Sequence, residues 1–156
     1  MNKKFLRRRE VKEKTKMTVF KTIFRPILTY GCEAWNTTRN MRSKLQAVEM
    51  KFLRGVKGFT SSNRRRNEDI RGELGVISLE QFVGQRQLGW WGHLHRMKKE
   101  RPVRQIWEAK TDAKPRRGRP QHTWENMIEK EITKREKSVR EAISITSNRI
   151  EWKNFI

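Results

Sequence analysis

The side chains that could make or break bonds are few in this sequence, and their spacing suits neither metal nor proton chemistry. A two-metal phosphoryl-transfer site needs clustered carboxylates, so that one ion activates the attacking oxygen and the other steadies the leaving one. Asp69 and Asp112 are the only aspartates; they stand far apart in unrelated contexts, and no adjacent pair exists. His93 and His95 are two residues apart, so on a helix they project about 200° from each other and cannot chelate one ion. His122 is distant, and Cys32 is the single cysteine, which excludes an internal disulfide and a zinc site built on cysteines. No phosphate loop of the G-x-x-x-x-G-K type occurs, and no serine–histidine pair with an orienting acid can be read from spacing. No cofactor is expected, and neither is catalysis by this chain alone.

Cations, by contrast, are abundant. Lys and Arg number 38 against 17 Asp and Glu, a formal net charge of +21, with a pI near 11.1. Such a balance points to RNA or DNA as partner first and to an anionic membrane surface second. The excess runs along the whole chain rather than in one tail, and its self-repulsion works against a compact state. Three places combine basic residues with a geometry suited to phosphates. From Lys51 to Arg66 there are six basic residues and no acidic one, ending in the polar loop that carries Arg64, Arg65 and Arg66. Lys110 to Pro120 holds two prolines, a glycine and five basic residues, among them Arg116, Arg117 and Arg119. Its Arg117-Gly118-Arg119-Pro120 matches the core of an AT-hook, in which an extended Arg-Gly-Arg lies in a narrow A·T minor groove. General phosphate contact and an inert linker are the other readings of that segment. The third place is Ser78–Met97, where Arg86, Trp91 and Arg96 interleave with apolar residues; Trp91, or Trp90 beside it, could stack a base.

Helices must position these groups. Leu79, Phe82, Val83, Trp90, Leu94 and Met97 keep the three-, four- and seven-residue spacing of one helix face, behind a Ser78/Gln81 capping box. Adjacent Trp90 and Trp91 point about 100° apart, so one is expected in the core and the other at a neighbouring helix or ligand. Gly89 and Gly92 each weaken that helix by roughly 1 kcal/mol relative to Ala, which suggests close approach of a helix or a nucleic-acid strand. Upstream, Met17 to Tyr30 reads as a helix that Pro26 should kink. A helix capped by Thr37 or Thr38 presents Met41, Leu45, Val48, Phe52, Leu53 and Val56, and ends at Gly58. Asn67 is expected to cap a short helix that closes at Gly75. Pro102, Thr123, Ser138 with Glu141, and Asn148 start four more helices. No alternating stretch is long enough for a sheet. The expected fold is all-α, an irregular bundle of about five to seven helices with a basic N-terminal arm. The expected segments are the arm at 1–16, helices at 17–109, a basic linker at 110–120 and a C-terminal helical region at 121–156. No apolar run reaches the ~20 residues that span a bilayer, and the N-terminus lacks the apolar region of a signal peptide. An intracellular protein, nuclear or cytoplasmic, with no membrane partner is expected.

Several pieces, in order, resemble one family. Gln87-Leu-Gly-Trp-Trp-Gly-His-Leu-His-Arg-Met97 is similar to the R-L-x-W-x-G-H-x-x-R-M segment that follows the polymerase core in reverse transcriptases of non-LTR (LINE-type, jockey-like) retrotransposons. Arg25-Pro26-Ile27-Leu28 running into Tyr30-Gly31-Cys32-Glu33-Ala34-Trp35 resembles the same region. So do Leu45 with Glu49-Met50 and Leu53-Arg54, then Arg66-Asn67 with Ile70, Arg116 to Pro120 with Thr123-Trp124, and Arg149 with Trp152. The resemblance covers about Val19 to Ile156. It implies the thumb and post-polymerase region of an RNA-directed DNA polymerase, with 17–109 thumb-like. The implied function is to grip template RNA or an RNA–DNA hybrid through its phosphates, with the upstream polymerase portion of the same element as a further partner. Mg²⁺ enters only through the catalytic palm, which the resemblance does not reach. The Cys/His zinc knuckle of some relatives is missing here. A degenerate retroelement remnant without activity, and a stand-alone basic DNA-binding module using the AT-hook-like linker, are the alternatives.

Overall fold

The computed structural model describes residues 6, 8, 10–60, 63–109, 118 and 122–156. The fold is all-α: every regular element among the described residues is helical. The chain divides into two compact units, one of residues 1–32 and 37–83, the other of residues 33–36 and 84–156.

In the first unit, α1 (Glu13–Val19) passes through a π turn, Phe20–Phe24, into α2 (Arg25–Leu28). Pro26 lacks the backbone donor an α-helix needs and crowds the preceding turn. The helix answers by widening rather than ending, so the expected kink takes the form of the π turn. Gly31, at φ +69°, then reverses the chain into a 3₁₀ turn, Cys32–Ala34. The long helix α3 (Arg39–Lys57) is capped by Thr38, whose Oγ1 accepts from Met41 N at 3.3 Å. Gly58 ends it at φ +71°, with Phe59 N donating back to Arg54 O at 2.8 Å, the left-handed closure that glycine permits without strain. Helix α4 (Asn67–Leu74) closes in the same way at Gly75. The residue in the capping position of α4 is Arg66, not Asn67, and no side chain caps that end. The Asn67 Oδ1 instead accepts from Arg54 at 2.8 Å.

The face that α3 buries is rotated from the expected one. Met41 and Val48 are exposed, while Glu49, Met50, Phe52, Leu53 and Val56 are buried. Phe52 packs against Phe20 and Phe24 at centroid separations of 5.2 and 4.5 Å, and Met17, Ile70 and Leu74 complete that core. Glu49 is wholly buried because three groups satisfy it. Its Oε2 accepts from Arg71 Nη2 at 2.7 Å and Nε at 3.2 Å, and its Oε1 from Leu79 N at 3.0 Å.

The helix α5 (Leu79–Arg96) opens with the expected capping box, Ser78 and Gln81 exchanging backbone-to-side-chain bonds at 3.2 Å. Its residues from Gly84 onward belong to the second unit, with α6 (Pro102–Glu108), α7 (Trp124–Thr133), α8 (Val139–Thr146) and α9 (Arg149–Phe155). Thr123 caps α7, Ser138 and Glu141 form the capping box of α8, and Asn148 caps α9. Leu88, Trp91, Ile128, Ile132, Ala142 and Trp152 form this unit's core. Two side-chain-to-backbone bonds tie residues 33–36 to it. Gln87 Nε2 donates to Trp35 O at 2.8 Å, and Trp124 Nε1 to Glu33 O at 2.8 Å.

Candidate nucleic-acid interface

The arginine stretch lies between the end of α3 and the start of α4. Asn63 shapes it, its Oδ1 accepting from Thr60 N at 2.6 Å and from Thr60 Oγ1 at 2.9 Å. Arg54, on α3, pins its far side by donating to Arg65 O at 3.0 Å. Between these anchors Arg64 adopts φ +45°, a conformation that side-chain-bearing residues adopt uncommonly. Arg64, Arg65 and Arg66 are all exposed, but they are not equivalent. Arg65 forms an ion pair with Glu73 and lies over the Phe59 ring, 5.6 Å from its centroid. Arg64 and Arg66 have no carboxylate partner among the described residues, as is also true of Lys44 and Lys51 on α3. Two cations of the three therefore remain open to an external anion. Glu68 and Asp69 occupy the first turn of α4 and already answer its positive end. An anion would thus be held by the arginine side chains rather than by the helix terminus.

In the second unit, α5 sorts its functional candidates onto different sides. Trp91 is only 5% exposed. It packs 5.4 Å from Trp152 and 4.2 Å from His95, so it offers no open face to a base, which corrects the expectation placed on it. Trp90, expected on the apolar face, is instead the half-buried one, with its ring 5.4 Å from that of exposed His93. The reversal has a clear cause: the buried stripe runs through Gly84, Gln87, Leu88, Trp91 and Leu94, and it includes an amide and a glycine that apolar counting passes over. Arg86 pairs with Glu33 yet keeps 58% of its side chain exposed. Arg96 has internal work, its Nη1 donating to Thr146 O at 3.0 Å at the end of α8. Burial, and secondarily Arg149, lower its pKa from the ordinary arginine value. Arg116, Arg117 and Arg119 lie outside the described residues, and with them the AT-hook-like segment.

The two histidines of α5 face apart, as their spacing requires. His95 is held between Trp91 and Trp107, 5.0 Å from the latter, and burial followed by Arg104 lowers its pKa, with Glu108 opposing. Among the described residues no three His, Cys, Asp or Glu side chains gather as metal ligands would. No helix among them is long and apolar enough to cross a membrane.

No family model and no solved structure matches this chain. Over 148 residues it is 29% identical to a Caenorhabditis elegans protein described as transposon-derived and uncharacterised. The match covers 90% of this chain and 53% of that protein, so the chain spans about half the length of the relative. Through nearly its whole length, then, the chain is similar to a protein of transposon origin.

Proposed function

We propose that this chain is a nucleic-acid-binding segment of retroelement origin, corresponding to the thumb and post-polymerase region of a LINE-type reverse transcriptase. It grips template RNA, or an RNA–DNA hybrid, through backbone phosphates. The observation that carries this reading is the arginine loop, a pinned turn whose Arg64 and Arg66 side chains are exposed without a carboxylate partner. The ordered resemblance from Val19 to Ile156 and the transposon-derived relative support the retroelement part. Phosphate contacts fix register and orientation without reading sequence, so binding is expected to be sequence-tolerant. With only Asp69 and Asp112 as aspartates, the chain supplies grip, and the polymerase portion of the same element supplies the bond-making carboxylates.

Binding to a labelled RNA–DNA hybrid, followed by fluorescence anisotropy across a salt series, tests the reading. If about six phosphates are neutralised, log K against log[salt] falls with a slope near −5. Replacing Arg64 and Arg66 together by Ala reduces the magnitude of that slope by about 2 and weakens all sequences alike. Absence of binding at low salt, or a slope that the double variant leaves unchanged, overturns the proposal.

A further inference from the structure

Three glycines of α5 fall in the second unit, and only two are explained by packing. A Cβ at Gly84 would meet the Glu131 carboxylate, and one at Gly92 would meet the Trp152 indole. Among the described residues a Cβ at Gly89 would meet nothing within 4 Å, and Gly89 does not need the left-handed backbone conformation that favours glycine. Glycine weakens a helix interior, yet among the described residues no neighbour makes use of the bare backbone there. Around that point the helix carries Arg86 one turn before, Trp90 beside it and His93 one turn after. Arg86 is held by Glu33 with more than half its side chain open, and the Trp90 and His93 rings are 5.4 Å apart at 37°.

We propose that this surface of α5, centred on Gly89, docks a single-stranded nucleic acid. The sugar–phosphate chain passes close over the bare backbone, Arg86 and His93 donate to its phosphates, and one base lies on the Trp90 ring. The occupant follows from charge and shape together. A chain of net charge +21 selects a polyanion, and an aromatic ring beside the Arg86 guanidinium suits a polyanion with free π faces, which duplexes bury and single strands present. The inference rests on the nucleic-acid reading above. It goes further in naming a second site, distinct from the arginine loop, and in committing that site to unpaired nucleotides.

The test uses the full chain with three labelled probes of about 16 nucleotides: oligouridylate, oligothymidylate and a blunt duplex. Gly89→Gln is expected to bind both single strands about tenfold more weakly while its thermal midpoint stays level or rises, because a side chain blocks the strand but favours the helix. Trp90→Ala should weaken single-strand binding roughly 5- to 150-fold, the worth of one stacked base. Duplex affinity should change less than about twofold in either variant. Wild-type failure to bind any probe defeats this inference and the proposed function together. Wild-type binding that neither variant weakens defeats the inference alone, as does an equal loss on the duplex. A loss confined to oligouridylate identifies the strand as RNA, and one confined to oligothymidylate as DNA.

Discussion

Gly92→Ala is the substitution on which the packing of the second unit can be judged most sharply. The added Cβ would lie 2.5 Å from Cε2 and 2.7 Å from Cδ1 of Trp152, and closer still to Nε1. Carbon atoms in contact settle at about 3.5–4.0 Å, so the indole or the helix would have to retreat by about an ångström. Trp152 has nowhere to go: it is 2% exposed, with Trp91 at 5.4 Å on one side and Phe155 at 5.1 Å on another. Overpacking of this kind costs about 1–3 kcal/mol, occasionally more. The gain from replacing a helical glycine returns about 1 kcal/mol. Complete loss of a buried Trp, at about 3–5 kcal/mol, sets the ceiling. The difference is a net loss of up to about 2 kcal/mol, expected toward that upper end because Trp152 cannot move aside, read from urea unfolding followed by tryptophan fluorescence and near-ultraviolet circular dichroism. Gly89→Ala, which meets no neighbour, is the control and should gain up to about 1 kcal/mol. Pairing Gly92→Ala with Trp152→Leu should cost less than the two single changes added together, because the clash disappears with the ring. If Gly92→Ala proved as stable as the parent, or the pair strictly additive, the close approach of α9 to α5 at this glycine would be refuted.

Two further perturbations probe buried charge. Removing Glu49 leaves Arg71 without its partner and Leu79 N–H without its acceptor, so Glu49→Ala should cost about 3–5 kcal/mol by chemical denaturation. Replacing Glu49 and Arg71 together by Met should recover most of that loss; a double variant no better than the single would show the pair is not the cause. For His95, burial and Arg104 lower the folded pKa below the ordinary 6.5, so the unfolded chain binds more protons between the two values. Stability therefore rises with pH through that window and flattens above it, and the unfolding midpoint at pH 5.5 should fall below that at pH 7.5. His95→Gln should flatten this dependence. Comparison with the parent isolates the effect, because buried Glu49, raised above 4.5 by desolvation, contributes with the opposite sign.

What the sequence revealed and what it concealed divide by the distance over which a residue acts. Ser78 with Gln81, Ser138 with Glu141, Thr38, Thr123 and Asn148 are legible as helix starts because each capping bond closes within three residues. Gly58 and Gly75 are legible as ends for the same reason. Asn67 misleads because a distant Arg54 takes its side-chain oxygen. The burial of Glu49 depends on Arg71, 22 residues on, and on Leu79, 30 residues on. That of Gln87 depends on Trp35 O, 52 residues back. Periodicity counts such residues as solvent-facing, which is why the buried faces of α3 and α5 are turned from the expected ones and why Trp90 and Trp91 exchange roles. At the candidate site, the exposure of Arg64 and Arg66 follows from a polar stretch between the glycine-closed end of α3 and the start of α4. The tie between Arg65 and Glu73 does not, since it needs the turn and α4 to bring them together.

Several of the described arginines work inside the units rather than toward solvent. Arg71 neutralises a buried carboxylate, Arg96 satisfies a carbonyl at the end of α8, and Arg104 reaches the Leu94 carbonyl while pairing with Glu108 at 2.5 Å. Arg135 holds Glu131 at 3.1 Å and the Ile156 carbonyl at 3.3 Å. These guanidiniums use their planar forks inside each unit, and in doing so they occupy several of the few acidic groups. With 38 basic and 17 acidic residues, cations outnumber carboxylates more than two to one, and their mutual repulsion opposes compaction. Aromatic cores make that tolerable, since the Phe20, Phe24 and Phe52 rings in one unit and Trp91 with Trp152 in the other bury large apolar areas from few residues. The same arrangement leaves a surface that a polyanion would relieve, because a ligand that binds only the folded chain stabilises it by mass action. Surplus charge and aromatic anchoring thus belong to one design, in which aromatic cores let the fold tolerate cations in excess of its carboxylates.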